Sequence, residues 1–221
     1  MRILTGFLLC LVLLCPPVAT CGQATLRTYT PPAAPSFSDN FNRSDRALNG
    51  DNGWAWAVNG GGFQLVSNRL EIGSAVGDSS QVNAGASFVD GYVQADVFTG
   101  GVASASSIGL IFRYQDANNF YLMDFAAGGG QAIIITFYKR GGGTYTQIGS
   151  PYNGGLFSWD GVAPKTAKVM FTGTSVHAWF DGVDVATFSD SSISAAGLTG
   201  LRNGGAGTAQ RYADNFSAVS N

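Results

Sequence analysis

From Phe37 to the C-terminus, apolar and polar residues alternate in short runs interrupted by Gly, Asn and Asp. Alternation with a period of two places successive side chains on opposite faces of an extended chain. It predicts fourteen strands: Phe37–Asn42, Phe63–Val66, Arg69–Ile72, Gln81–Phe88, Tyr92–Phe98, Ile108–Tyr114, Phe120–Phe125, Ala132–Tyr138, Thr144–Ile148, Ala167–Phe171, Ser175–Phe180, Val183–Phe188, Gly197–Leu201 and Arg211–Ala218. No window of ten or more residues carries a convincing 3.6-residue apolar period, so no helix is predicted. Asp181-Gly182 between two such runs is the signature of a tight type I′ hairpin, and Gly173-Thr174 and Asp90-Gly91 read the same way. Gly128-Gly129-Gly130 and Gly141-Gly142-Gly143 bracket the strand between them and predict a meander. So many short antiparallel strands bury their apolar faces best as two packed sheets.

The alternation also assigns faces. Val176, Ala178 and Phe180 are expected in the core, with His177 and Trp179 opposite. Val93, Ala95 and Val97 point in, and Gln94 and Asp96 point out. Leu110, Phe112 and Tyr114 are expected inside, with Ile111 and Arg113 outside. Tyr121, Met123 and Phe125 are expected inside, leaving Leu122 and Asp124 outside.

Composition supports this picture. The 31 glycines among 221 residues follow no collagen period and suit tight turns; in helices each would cost about 1 kcal/mol. Charged residues are 12% and the formal net charge is −2. There is no basic stripe of the kind nucleic acid requires and no basic amphipathic helix to grip a membrane.

Residues 1–21 read as an export segment. Met1 and Arg2 precede an apolar run from Ile3 to Cys15, shorter than the roughly 20 residues of a membrane span. Val18-Ala19-Thr20-Cys21 resembles a bacterial lipoprotein box, which implies lipidation of Cys21. Ordinary secretion with cleavage near Ala19 or Ala24 is the alternative. Residues 22–35, rich in Thr, Pro and Ala, read as a tether, and 36–221 as the folded domain. All three cysteines precede the domain, which excludes a disulfide framework or a Cys-based zinc site within it.

Several segments together resemble the concanavalin A-like lectin/glucanase superfamily, including laminin G-like and carbohydrate-binding domains. They are Phe37-Ser-Asp-Asn-Phe-Asn-Arg43, Gly53-Trp54, Asn68-Arg69-Leu70, Gly109 through Tyr121, Phe180-Asp-Gly182 and Tyr212-Ala-Asp-Asn-Phe216. The resemblance spans roughly residues 37–219. It implies an all-β, two-sheet antiparallel jelly-roll sandwich and, commonly, glycan binding.

Glucanases of that superfamily use two carboxylates, usually Glu, yet this chain has a single glutamate, Glu71, and no Glu-x-Asp-x-x-Glu motif. Asp96 and Asp124, with Arg113 between them, form the candidate alternative pair, but the arginine would keep both ionised. His177 has no nucleophile at triad spacing.

The same residues suit a binding face. Trp179 and His177 would supply aromatic surface, and Gln94, Asp96, Arg113 and Asp124 hydrogen bonds to hydroxyls. Arg113 and Asp124 forming a plain cross-strand ion pair is the competing reading. Of the other tryptophans, Trp54 reads as a core plug and Trp159 as an exposed rim. Ser38-Asp-Asn-Phe41 and Ala213-Asp-Asn-Phe216 echo each other at the two domain ends, so Asp39 and Asp214 are candidate ligands of a structural Ca²⁺. Strand-end turn chemistry is the alternative there, and a turn is expected at Asp116, Asn118 and Asn119. The expected function is an exported surface or secreted module that recognises a polysaccharide. A structural or adhesive protein and an atypical glycoside hydrolase are the alternatives.

Overall fold

The structure, a computed structural model, describes residues 36–48, 56–59, 62–73, 80–99, 107–127, 132–158, 163–204 and 211–221. Among them are sixteen strands and no helix. They are β1 (Ser36–Asp39), β2 (Arg46–Ala47), β3 (Ala57–Asn59), β4 (Phe63–Leu65), β5 (Leu70–Ile72), β6 (Ser80–Phe88), β7 (Gly91–Thr99) and β8 (Ser107–Asp116). The second half supplies β9 (Asn119–Ala127), β10 (Ala132–Gly141), β11 (Thr144–Ser158), β12 (Lys165–Thr172), β13 (Ser175–Phe180), β14 (Val183–Ser189), β15 (Gly197–Gly204) and β16 (Arg211–Ser220). Each of the fourteen predicted runs corresponds to one of these strands. The export segment, the tether with Cys21, Trp54 and Trp159 lie outside the described residues.

The strands form two antiparallel sheets. Sheet A runs β14-β13-β12-β7-β16-β5-β4-β2, with β1 paired to β16 beyond the end of β5. Sheet B runs β11-β10-β9-β8-β15-β6-β3. The inner faces are the apolar sets that alternation predicts: Val93, Ala95 and Val97 on β7, Val176, Ala178 and Phe180 on β13, and Tyr121, Met123 and Phe125 on β9, all at most 1% exposed. Rings interlock between the layers, with Phe112 5.3 Å from Phe171 and Phe125 5.5 Å from Phe180. Each such fully buried side chain contributes about 1.5–3 kcal/mol. Trp56 lies in this core. Its ring lies against Phe37, Phe41 and Phe216, and its indole N–H donates to Asp39 at 2.6 Å.

Two buried arginines join the layers at opposite ends. Arg211 on β16 of sheet A donates to the carbonyls of Ser107 and Gly204 in sheet B and of Gly73. Arg113 on β8 of sheet B donates to the carbonyls of Val89, Ile193 and Gly173, with Asp90 3.5 Å away. This corrects the outward placement of Arg113, which is fully buried. Its backbone is left-handed, with φ 50°, and the β8–β9 register shifts there. The irregularity interrupts the alternation, sends the guanidinium into the end of the sandwich over the Phe171 ring, and turns Tyr114 to the outer side.

Of the predicted type I′ turns, Asp181-Gly182 has the two positive φ values that the type demands, 51° and 79°. At Gly173-Thr174 only the glycine is left-handed. Between β8 and β9, Asp116 accepts from the Asn118 backbone and the Asn119 side chain, the turn chemistry expected there.

Candidate functional site

Four of the predicted ligand residues share the outer face of sheet A. On β7, β12 and β13 the inward alanines, valines and phenylalanines leave Gln94 and Asp96, Thr166 and Lys168, and His177 and Trp179 pointing to solvent. Register then aligns them across strands. Gln94 pairs with Lys168, Lys168 with Trp179, and Trp179 with Asp184. In the other direction Gln94 pairs with Ser217, and Ser217 with Ser38. The result is one row, Ser38–Ser217–Gln94–Lys168–Trp179–Asp184, crossing six neighbouring strands.

One end of this row is aromatic and cationic. The Lys168 ammonium lies 4.5 Å from the centre of the Tyr92 ring and 5.8 Å from that of Trp179, favourable cation–π geometry. The His177 ring lies 3.9 Å from Trp179, and its Nε2 meets Asp184 at 2.5 Å. Each of these side chains is held by a neighbour, so the platform is ordered before any ligand arrives.

The other end is a polar hollow of about 330 Å³ lined by Ser38, Asp39, Asn40, Asn215, Phe216 and Ser217. Asn215, with φ 47°, is the extra residue of a bulge in β16 opposite β7. The bulge aims the Asn215 amide at Asp96, to which it donates at 2.9 Å, while Thr166 donates to the other Asp96 oxygen at 2.6 Å. Asp214 stands directly across from Asp96. Burial first, then the charges of Asp96 and Asp39, raise the Asp214 carboxyl above its ordinary value.

Other predicted residues lie elsewhere. Arg113 is the buried staple described above and faces no outer surface. Asp124 is on β9, in sheet B, so the expected grouping of Asp96, Arg113 and Asp124 on one sheet does not form. Asp124 pairs with Arg202 at 3.0 Å, and burial pushes its carboxyl up, against a hydrogen bond from Ser107 and the charge of Arg211.

The outer side of sheet B carries a second apolar cluster, Ile111, Tyr114, Phe120 and Leu122, with Tyr138, Tyr145 and Leu198 packed on it. Tyr145 comes from edge strand β11, yet its ring is 5.1 Å from the guanidinium of Arg202 on β15. Four strand spacings, about 19 Å if flat, separate those strands, so both long side chains reach toward each other across the outer face of sheet B.

The calcium expectation also meets an obstacle at Asp39. Its two oxygens accept from the Phe41 backbone, both terminal nitrogens of Arg43 and the Trp56 indole, at 2.6–3.0 Å. A carboxylate so occupied by donors has no free direction for a cation, and no group of three or more metal-ligating side chains occurs among the described residues.

Residues that sequence reading missed are Lys168, Tyr92, Ser217, Ser38 and Asp184. Alternation along β12 and β7 does mark Lys168 and Tyr92 as outward. Only strand pairing shows that they flank Trp179 and Gln94.

The fold has counterparts among solved structures. A carbohydrate-binding module of Bacillus subtilis, CBM66, superposes with TM-score 0.63 at 21% identity, covering 76% of this chain and 96% of the module. The β-glucanase of Bacillus licheniformis superposes with TM-score 0.62 at 13% identity, over 84% and 98%. A LamA variant of Zobellia galactanivorans, solved with laminaritriose and laminaritetraose, gives 0.59 at 12%, over 83% and 98%. No protein-family model and no curated protein matches the sequence. The chain therefore has the concanavalin A-like jelly-roll fold, which is shared by modules that bind carbohydrate and enzymes that cleave it. At these identities the likeness speaks for the fold alone.

Proposed function

We propose that this protein is an exported, non-catalytic glycan-binding module whose ligand lies on the outer face of sheet A. The observation that carries the reading is the Ser38–Asp184 row, which puts an ordered aromatic platform and a polar hollow on one surface. Apolar C–H faces of a sugar stack on Trp179 and Tyr92, while its hydroxyls meet the Gln94 amide, the Lys168 ammonium and the serine hydroxyls. Carbohydrate recognition by structural neighbours of the same fold supports this reading. No catalytic step is assigned to the Asp96–Asp214 pair, because Thr166 and Asn215 already occupy both oxygens of Asp96. Export follows from residues 1–21, with Cys21 as the lipid-bearing residue if the segment is a lipoprotein signal. The mass of the mature protein tests that point.

The test of function is affinity electrophoresis of the full chain and of Trp179→Ala in gels containing laminarin, mixed-linkage β-glucan, xylan or κ-carrageenan. Retardation by at least one polysaccharide is expected, with the affinity of Trp179→Ala at least tenfold weaker at an unchanged melting temperature. Equal retardation of the variant refutes the site. Release of new reducing ends by the wild-type protein refutes the non-catalytic reading.

A further inference from the structure

We infer that this face takes an internal stretch of an extended, uncharged polysaccharide laid across the strands, rather than a chain end or a single sugar. The inference rests on the glycan-binding reading above and goes on to name the ligand. The row begins on β1, which has β16 as its partner, and finishes on β14, the terminal strand of the sheet. Its five strand spacings of about 4.8 Å span about 24 Å, several times the width of one sugar. Ser38 and Asp184, at the two ends, are both exposed. Recognition of a chain end requires a concave pocket that buries most of the terminal sugar. Here the hollow at the Ser38 end is rimmed by the exposed Ser38 and Asn40 at the strand edge, and Asp184 is exposed at the other end, so a polymer can enter over one edge of the sheet and leave over the other.

Charge narrows the class. The outward carboxylates beside the row are Asp96, Asp184 and Asp214; the cations are the Lys168 ammonium, the His177 imidazole and the Arg69 guanidinium, which lies over Tyr212 and whose charge reaches Asp214 but leaves Asp96 and Asp184 facing the row. Like charges held a few ångström apart repel even in water. A chain with sulfate or carboxylate on every sugar would set its charges along this acidic margin. Hydroxyls meet no such penalty, and the row offers them the amides of Gln94 and Asn40 and the hydroxyls of Ser38 and Ser217.

Calorimetric titration of the full chain with size-graded laminari-, cello- and xylo-oligosaccharides, two to six sugars long, tests this, with κ-carrageenan oligosaccharides as the charged series. In the neutral series that binds, affinity is expected to rise at least tenfold from disaccharide to hexasaccharide and to survive chemical reduction of the reducing end. Trp179→Ala is expected to weaken every length, and Ser38→Ala/Ser217→Ala to remove part of the gain on lengthening. A length-independent affinity, or its loss on end reduction, overturns the internal-chain inference. Sensitivity to Trp179→Ala in that same experiment would leave glycan binding standing. Tighter binding of the sulfated series overturns the uncharged class. No binding by any series, together with no retardation by any polysaccharide, removes the glycan-binding reading itself.

Discussion

Replacing Arg113 by Met removes a guanidinium from the end of the sandwich while keeping much of the side chain's apolar length. Three backbone carbonyls, those of Val89, Ile193 and Gly173, lose their charged donor. A hydrogen bond to a charged group contributes about 1.5–3 kcal/mol, and the three share one side chain, so their effects do not simply add. Asp90 retains its bond from the Gly173 backbone and is well exposed, so its lost ion pair adds little. The expected loss is about 3–5 kcal/mol, from three carbonyl acceptors that lose their donor at about 1–3 kcal/mol each and less than additively. With a urea m-value of about 2 kcal/mol/M, the unfolding midpoint falls by about 1.5–2.5 M. Arg113→Lys, whose point charge cannot fork to three carbonyls, is expected to lose less and remain folded, which keeps the test readable if the Met variant does not fold. Glycan affinity measured on folded Arg113→Lys should equal that of the wild type, because Arg113 touches neither the row nor its neighbours. A midpoint shift below about 0.5 M for Arg113→Met, or a selective loss of glycan affinity in Arg113→Lys, would refute this assignment and return Arg113 to a ligand-facing role.

Asp214→Asn should stabilise the domain near neutral pH by a few tenths to about 1 kcal/mol, since like charges directly opposite on neighbouring strands are unfavourable. The folded-state carboxyl is raised above its ordinary 3.8, so the unfolded chain ionises first and wild-type stability falls as pH climbs from about 4 through the raised value. Thermal melts from pH 3 to 8 should show the variant's advantage growing over that window and vanishing below it; an advantage independent of pH would exclude the charge effect. Arg202→Met should destabilise by about 1–3 kcal/mol, because the buried Asp124 loses its ion-pair partner but keeps the Ser107 hydrogen bond and the charge of Arg211, whereas the double variant Asp124→Leu/Arg202→Met recovers most of the loss. Equal destabilisation of single and double variants in urea titrations would argue that the two side chains act independently.

Local patterning determined a large part of this protein. Period-2 alternation and glycine-containing corners located the strands, and they assigned the inner and outer faces of β7, β9 and β13 correctly, because side-chain direction within a regular strand depends only on the parity of position. Gln94, Asp96, His177 and Trp179 were legible as outward residues for that reason. Arg113 was not, because a left-handed residue breaks the parity, and such backbone is uncommon for a non-glycine residue and carries no signal in the letters Phe-Arg-Tyr. Nor does alternation reveal which strands are neighbours. The separation of Asp96 from Asp124 onto different sheets, the donors that saturate Asp39, and the alignment of Lys168 beside Trp179 all follow from strand order and register. Those are settled by contacts between segments far apart in the chain, where many orders satisfy the same alternation and only the closure of one shared core selects among them.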